Sequence, residues 1–177
     1  MKTAFILSGV PGAGKSTFIP RIKEINKLAA TSDIATFSLD TCRLAFFDRQ
    51  FREKEMNAAF YKAAFDNANE NKVKFDAFVI SQWKRFLERD FVVVDNTNLT
   101  RKPRARWIND LRAKGFTIVG VQVNVPLQVA LDRQATRGDK SVPLKIVEDM
   151  YMQQQEFLLG SEVDYVMYVD GVTGSVT

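Results

Sequence analysis

Apolar residues recur along this chain in five runs of strand length: Ala4 to Leu7, Ala35 to Leu39, Phe91 to Val94, Ile118 to Val125 and Tyr165 to Val169. The runs are near-continuous rather than alternating, the pattern of strands covered on both faces. Charged segments with helical spacing separate them. Strands of this kind alternating with helices predict a central parallel sheet flanked by helices, a three-layer α/β domain. The first helix is predicted to open at Gly14 or Lys15 and to run toward Leu28, because Phe18, Ile19, Ile22, Ile25 and Leu28 form an approximate stripe. Pro20 lies beyond the positions where proline is harmless, so a kink or a loosened first turn is expected there. Residues 41–89 form the longest stretch between predicted strands and should supply several helices on the ligand side of the sheet. Their Met56, Phe60, Phe65, Phe75, Phe78, Trp83 and Phe86 read as core at helical spacing rather than as a stacking platform.

No repeat, low-complexity tract or linker interrupts the pattern, so residues 1–177 are expected to form a single domain. The apolar and charged fractions, 46% and 26%, are ordinary for a globular protein. No apolar run approaches the roughly 20 residues of a membrane span, and the first run is too short for a signal peptide, so a cytoplasmic location is expected. Cys42 is the lone cysteine and reads as a small buried side chain, which excludes an internal disulfide; the absence of histidine excludes His-based acid–base chemistry and an ordinary zinc site. Carboxylates, lysine, arginine and an oxygen-bound metal are left for any catalysis. The net charge of +4 favours polyanionic partners without naming one.

Four segments carry candidate chemistry. Gly9-Val10-Pro11-Gly12-Ala13-Gly14-Lys15-Ser16-Thr17 directly follows the first predicted strand and completes a G-x-x-x-x-G-K-S phosphate-binding loop. Its backbone N–H groups would surround a β-phosphate, Lys15 would reach the β- and γ-phosphates of ATP, and Ser16 would take Mg²⁺. Asp40 stands where the second strand should end, at the ligand crevice, as a candidate base toward a substrate hydroxyl or, equally on spacing, as a helix cap. Arg43, three residues on, is placed to hold a substrate phosphate. Asp95 ends the third strand in the position of an acid that binds Mg²⁺ opposite Ser16. Asn96, Thr97 and Asn98 are placed to cap the helix beginning near Arg101, whose basic start (Arg101, Lys102, Arg104, Arg106) reads as a polyanion contact or a solvated face. Finally, Arg133 and Arg137 stand at i and i+4 before a Gly-to-Pro stretch, which reads as a lid over residues 130–143 whose arginines neutralise a transferring phosphoryl group.

Taken in order, the G-x-P-G-x-G-K-S-T loop at Gly9 to Thr17, D-x-x-R at Asp40 and Arg43, D-x-T-N-L at Asp95 to Leu99 and R-x-x-x-R-G-x-K-x-V-P at Arg133 to Pro143 resemble the kinase domain of the bacteriophage polynucleotide 5′-hydroxyl kinases. The resemblance implies a P-loop NTPase fold of the kinase type with the loop-bearing strand central, and a helical lid. It implies ATP-dependent phosphoryl transfer to a primary hydroxyl of DNA or RNA, with Asp40 as general base, Arg43 on a substrate phosphate, and Arg133 and Arg137 on the ATP phosphates. Those kinases continue into a phosphatase domain after the last strand, and no 3′-phosphatase activity is expected here. A related phage group, the kinases of hydroxymethyluracil in DNA, is similar in the same motifs, which do not separate a sugar hydroxyl from a base hydroxymethyl; a small-molecule kinase of the gluconate or nucleoside type, or a zeta-toxin-like sugar-nucleotide kinase, is the third reading.

Overall fold

The computed structural model describes residues 1–26, 34–48, 57–138 and 141–177. In chain order the elements are β1 Thr3–Ser8, α1 Lys15–Ile25, β2 Ile34–Phe37, α2 Leu39–Phe47, α3 Ala58–Glu70, α4 Lys72–Phe86, β3 Phe91–Asp95, α5 Arg101–Ala113, β4 Thr117–Asn124, α6 Leu127–Ala135, α7 Leu144–Gln153 and β5 Tyr165–Asp170. The strands form one parallel sheet in the order β2-β3-β1-β4-β5, so β1 is central. This is the α/β P-loop kinase fold predicted above.

Alternation along β1 divides the core. Ala4 and Ile6 point to one face, where they join Phe75, Val79 and Trp83 of α4 and Trp107, Ile108 and Leu111 of α5. Phe5 and Leu7 point to the other, against Phe18 and Ile22 of α1, Ala130 of α6 and Val147 of α7. On the first face Phe37, Trp83 and Trp107 meet edge to face or tilted, with centroids 4.8–5.1 Å apart. The aromatic residues of the region 41–89 are thus largely core. Among the described residues Phe47 at the end of α2 and Phe65 on α3 are the exceptions, both half-exposed, and Met56 lies outside the described residues.

Several local expectations change. Helix α1 runs unbroken through Pro20, which lacks only its own N–H bond to the preceding turn, and ends at Ile25; Leu28 lies outside the described residues. The second apolar run splits at Ser38, whose Oγ accepts the Thr41 N–H at 3.0 Å, so Leu39 and Asp40 already belong to α2. The Asn96–Asn98 segment does not cap α5. Thr100 is the N-cap, and Gln155 Oε1 accepts the Arg101 N–H at 3.0 Å. Asn98 takes a left-handed backbone (φ 45°) and donates from Nδ2 to Leu7 O at 2.8 Å, tying the β3 exit to β1, while Asn96 Oδ1 accepts the Leu39 N–H at 2.9 Å. Both are spent on aligning the carboxyl ends of the strands.

Arg104 is likewise no polyanion contact. It is fully buried, paired with Glu162 through Nε at 2.7 Å and Nη2 at 3.1 Å, and it donates to the carbonyls of Gln155 at 2.7 Å and Glu156 at 3.1 Å. A buried guanidinium persists only when so many acceptors surround it, and here it holds the 155–162 connection against α5. Among the described residues no helix is long and apolar enough to cross a membrane.

Candidate active site

The carboxyl ends of β1, β2 and β3 gather three of the four segments at one edge of the sheet. From β1 the chain turns through Gly12 (φ 85°) and Gly14 (φ 97°), both in the left-handed region that favours glycine, and Gly14 is the N-cap of α1. A Cβ on Gly12 would lie 2.8 Å from Ala130 O, so the loop also needs glycine to pack against α6. The first turn of α1 has no acidic side chain, which leaves its positive end without a counter-charge of its own.

Lys15 Nζ donates to Gly9 O at 2.8 Å and Val10 O at 3.1 Å, arching over the loop. Burial lowers its pKa to about 8; Asp95 and Asp40 act in the opposite direction, and Arg137 adds to the lowering. Asp40, Asp95 and Arg137 are thus all within electrostatic reach of that ammonium group. Ser16 Oγ donates to Asp95 Oδ2 at 2.7 Å, joining the first turn of α1 to the end of β3. Asp40 sits in the first turn of α2, where its Oδ1 accepts from Arg43 Nη1 at 2.8 Å and from Tyr61 Oη at 2.7 Å. The Arg43 guanidinium also lies over the Phe65 ring, 5.0 Å from its centroid. Asp40 is not the N-cap that spacing left open; Ser38 is.

The lid arginines do not share a helical face. Helix α6 ends at Ala135, the Thr136 hydroxyl bonds back to Asp132 O and Arg133 O, and Arg137 lies past the end with its N–H on Gln134 O at 3.2 Å. Arg133 donates to Gly12 O and to Gly171 O, both at 2.9 Å, clamping the phosphate loop to the turn after β5. Gln134 is buried behind the loop, where its Oε1 accepts the Val142 N–H at 3.0 Å. Helix α7 starts at Leu144, directly after Pro143; Asp139 and Lys140 of the lid lie outside the described residues.

A cavity of about 540 Å³ opens over the loop. Pro11, Gly12, Gly14, Lys15, Ser16 and Thr17 form its floor, Arg133 and Arg137 one wall, and the 170–174 turn the other. That turn was not singled out from the sequence, although an Asp-Gly pair closing a strand at the carboxyl edge is a usable signal. Asp170 organises it by accepting the N–H groups of Val172 at 2.7 Å and Thr173 at 3.1 Å, bonds that hold its carboxyl below the usual range. Arg21 of α1 ties the far side to Gly174 O. Tyr61 was also missed, and nothing in the sequence marks it, since 21 positions separate it from Asp40. The donor set fits a nucleoside triphosphate: loop amides and a lysine at one end, and a hydroxyl–carboxylate pair of the kind a hard divalent cation takes beside them.

Comparison with known proteins agrees. A family model described as an AAA domain, AAA_33, matches residues 5–158. The chain belongs to that family. It is 27% identical over 147 residues to the L-seryl-tRNA(Sec) kinase of Methanococcus maripaludis, an alignment covering 82% of this chain and 50% of the relative. The chain therefore spans half the length of that relative. Among solved structures, a gluconokinase from Sinorhizobium meliloti superposes with a TM-score of 0.55 at 18% identity, over 97% of this chain and 83% of that one. Chaetomium thermophilum Kti12 in complex with ADP-AlF3 gives 0.61 at 13% identity, over 94% and 88%. At such identities these likenesses show the fold of an AAA_33 P-loop kinase and nothing finer.

Proposed function

We propose that this AAA_33 protein is an ATP-dependent, Mg²⁺-assisted kinase that transfers the γ-phosphate to a primary hydroxyl of a nucleic acid, with the 5′-hydroxyl end of a polynucleotide as first acceptor. The carrying observation is Asp40: an acid in the first turn of α2, near enough to the phosphate loop to act on the Lys15 ammonium, with Arg43 bonded beside it. A protein that only bound nucleotide would have no use for that carboxylate. ATP as donor is supported by the loop, the cavity and the nucleotide complex of Kti12.

Ser16 and Asp95 would hold Mg²⁺, which would neutralise part of the phosphate charge of bound ATP. Lys15 and the loop amides grip the phosphates. Asp40 takes the acceptor proton as the acceptor oxygen bonds to γ-phosphorus; the bond to the bridging oxygen breaks, and its electron pair leaves with ADP. Arg137, which also lines the cavity, would stabilise charge on the transferring group. Arg43 uses one donor on Asp40 and has others for an acceptor phosphate. A polyanionic acceptor is supported by the seryl-tRNA kinase, whose named substrate joins a primary hydroxyl to a nucleic acid.

Two measurements test this. Ser16→Ala and Asp95→Ala should each raise the Mg²⁺ concentration for half-maximal transfer; an unchanged requirement in Asp95→Ala removes that residue from the metal site. Transfer of labelled γ-phosphate should be compared on a 5′-hydroxyl oligonucleotide, hydroxymethyluracil-containing duplex, seryl-tRNA, a free nucleoside and gluconate. The oligonucleotide should be labelled, and Arg43→Ala should raise KM for the oligonucleotide more than for the nucleoside and flatten the salt dependence of oligonucleotide binding, whatever loss in kcat the two acceptors share through Asp40. Labelling of the modified duplex alone moves the acceptor to the base. Labelling of gluconate or the nucleoside alone overturns the nucleic-acid reading.

A further inference from the structure

Tyr61 reaches Asp40 from a separate helix. Helix α3 packs along α2, and Asn57 starts it by accepting the Phe60 N–H at 2.9 Å, which sets the rotation that turns Tyr61 inward. Two donors meet on one carboxylate oxygen: Tyr61 Oη and Arg43 Nη1 both bond Oδ1, at 2.7 and 2.8 Å. Among the described residues Oδ2 accepts no hydrogen bond. Burial first, and then the bond to Asp40, pushes the phenol well above its ordinary range, so it remains an O–H donor wherever the enzyme would work.

We infer that Tyr61 is a positioning residue that fixes the rotation of the Asp40 carboxylate through Oδ1, so that Oδ2 is the oxygen that takes the acceptor proton. This rests on the reading of Asp40 as general base. Arg43 alone would leave the carboxylate swinging on a single contact from its own helix; a second donor from α3 removes that freedom. Among the described residues, the charged and titratable groups around the site are Arg43 and the Cys42 thiol from α2, Tyr61 from α3, Lys15 from α1, whose ammonium feels Asp40 and Asp95, and Arg137, which acts on both Lys15 and Tyr61. On the α4 side the packing is apolar, Phe75 and Phe78 against Phe46.

The test is Tyr61→Phe, which keeps the ring, alongside 3-fluorotyrosine at the same position, which keeps the hydroxyl and makes it a stronger donor. Tyr61→Phe should lower kcat about tenfold with KM for ATP unchanged. Fluorotyrosine should keep kcat near the wild-type value, and it keeps the comparison open if the phenylalanine variant does not fold. Because the tyrosine acts only through Asp40, Tyr61→Phe should cost nothing further in kcat once Asp40 is replaced by asparagine. An unchanged kcat in Tyr61→Phe, or the same tenfold loss in the Asp40→Asn background, assigns the tyrosine to packing and overturns the inference. So does an equal loss in the fluorotyrosine protein. Asp40→Asn by itself separates the two levels: retained turnover there removes the base and this inference with it.

Discussion

Arg137→Ala is expected to lower phosphoryl transfer by about 10³-fold or more, and by the same factor for every acceptor. Arg137 lines the same cavity as the phosphate loop and helps lower the pKa of the Lys15 ammonium, so its charge lies within reach of the place where negative charge would grow on the transferring oxygens. Its placement past the end of α6 matters. Arg133, on the last turn of that helix, is held by two backbone carbonyls of the loop and the β5 turn, whereas Arg137 follows the helix end, with its N–H on Gln134 O, and lines the cavity. Turnover under saturating ATP, measured on an oligonucleotide and on whichever small alcohol it accepts, checks the prediction. Unequal factors for the two would assign Arg137 to acceptor binding instead of to the transferring group.

Asp40→Asn should reduce turnover by about 10²- to 10⁴-fold while nucleotide affinity survives. Asparagine keeps the shape and an acceptor oxygen for Arg43 and Tyr61 but cannot take a proton at neutral pH. Lys15→Ala provides the contrast, since the ammonium belongs to the phosphate loop and its removal should weaken ATP binding as well as chemistry. Titration of a fluorescent ATP analogue against both variants separates binding from transfer. Near wild-type turnover in a folded Asp40→Asn protein would return the proton to water or to the γ-phosphate itself.

Much of this arrangement was legible residue by residue. The phosphate loop is read from contiguous sequence because its chemistry is local: the backbone turns, the glycines that permit them and the lysine that follows all lie within nine positions. Asp95 was legible for a related reason, as the polar residue ending an apolar strand in a parallel sheet must emerge at the carboxyl edge, and the structure sets it 2.7 Å from Ser16. Arg104 was not. A basic helix start reads as solvated until a distant segment, here residues 155–162, supplies the acceptors that bury it. Asn96 and Asn98 misled similarly: capping is the commonest local duty of asparagine, but these two spend their amides on bonds to Leu39 and Leu7, contacts that exist only after the strands align.

By itself the sequence determined the parallel α/β architecture, the position of the phosphate loop on the first strand and the set of acids and bases available for chemistry, because periodicity and short-range turn chemistry act over a few residues. Tertiary structure alone decided which of those groups meet. Packing of α3 on α2 brings Tyr61 to the Asp40 carboxylate across 21 positions, and the end of α6 divides two arginines of one motif, sending Arg133 to the loop backbone and Arg137 to the cavity wall. Such meetings depend on how helices rotate and stop as they bury their apolar faces, a balance struck by the whole core and carried by no single stretch of chain.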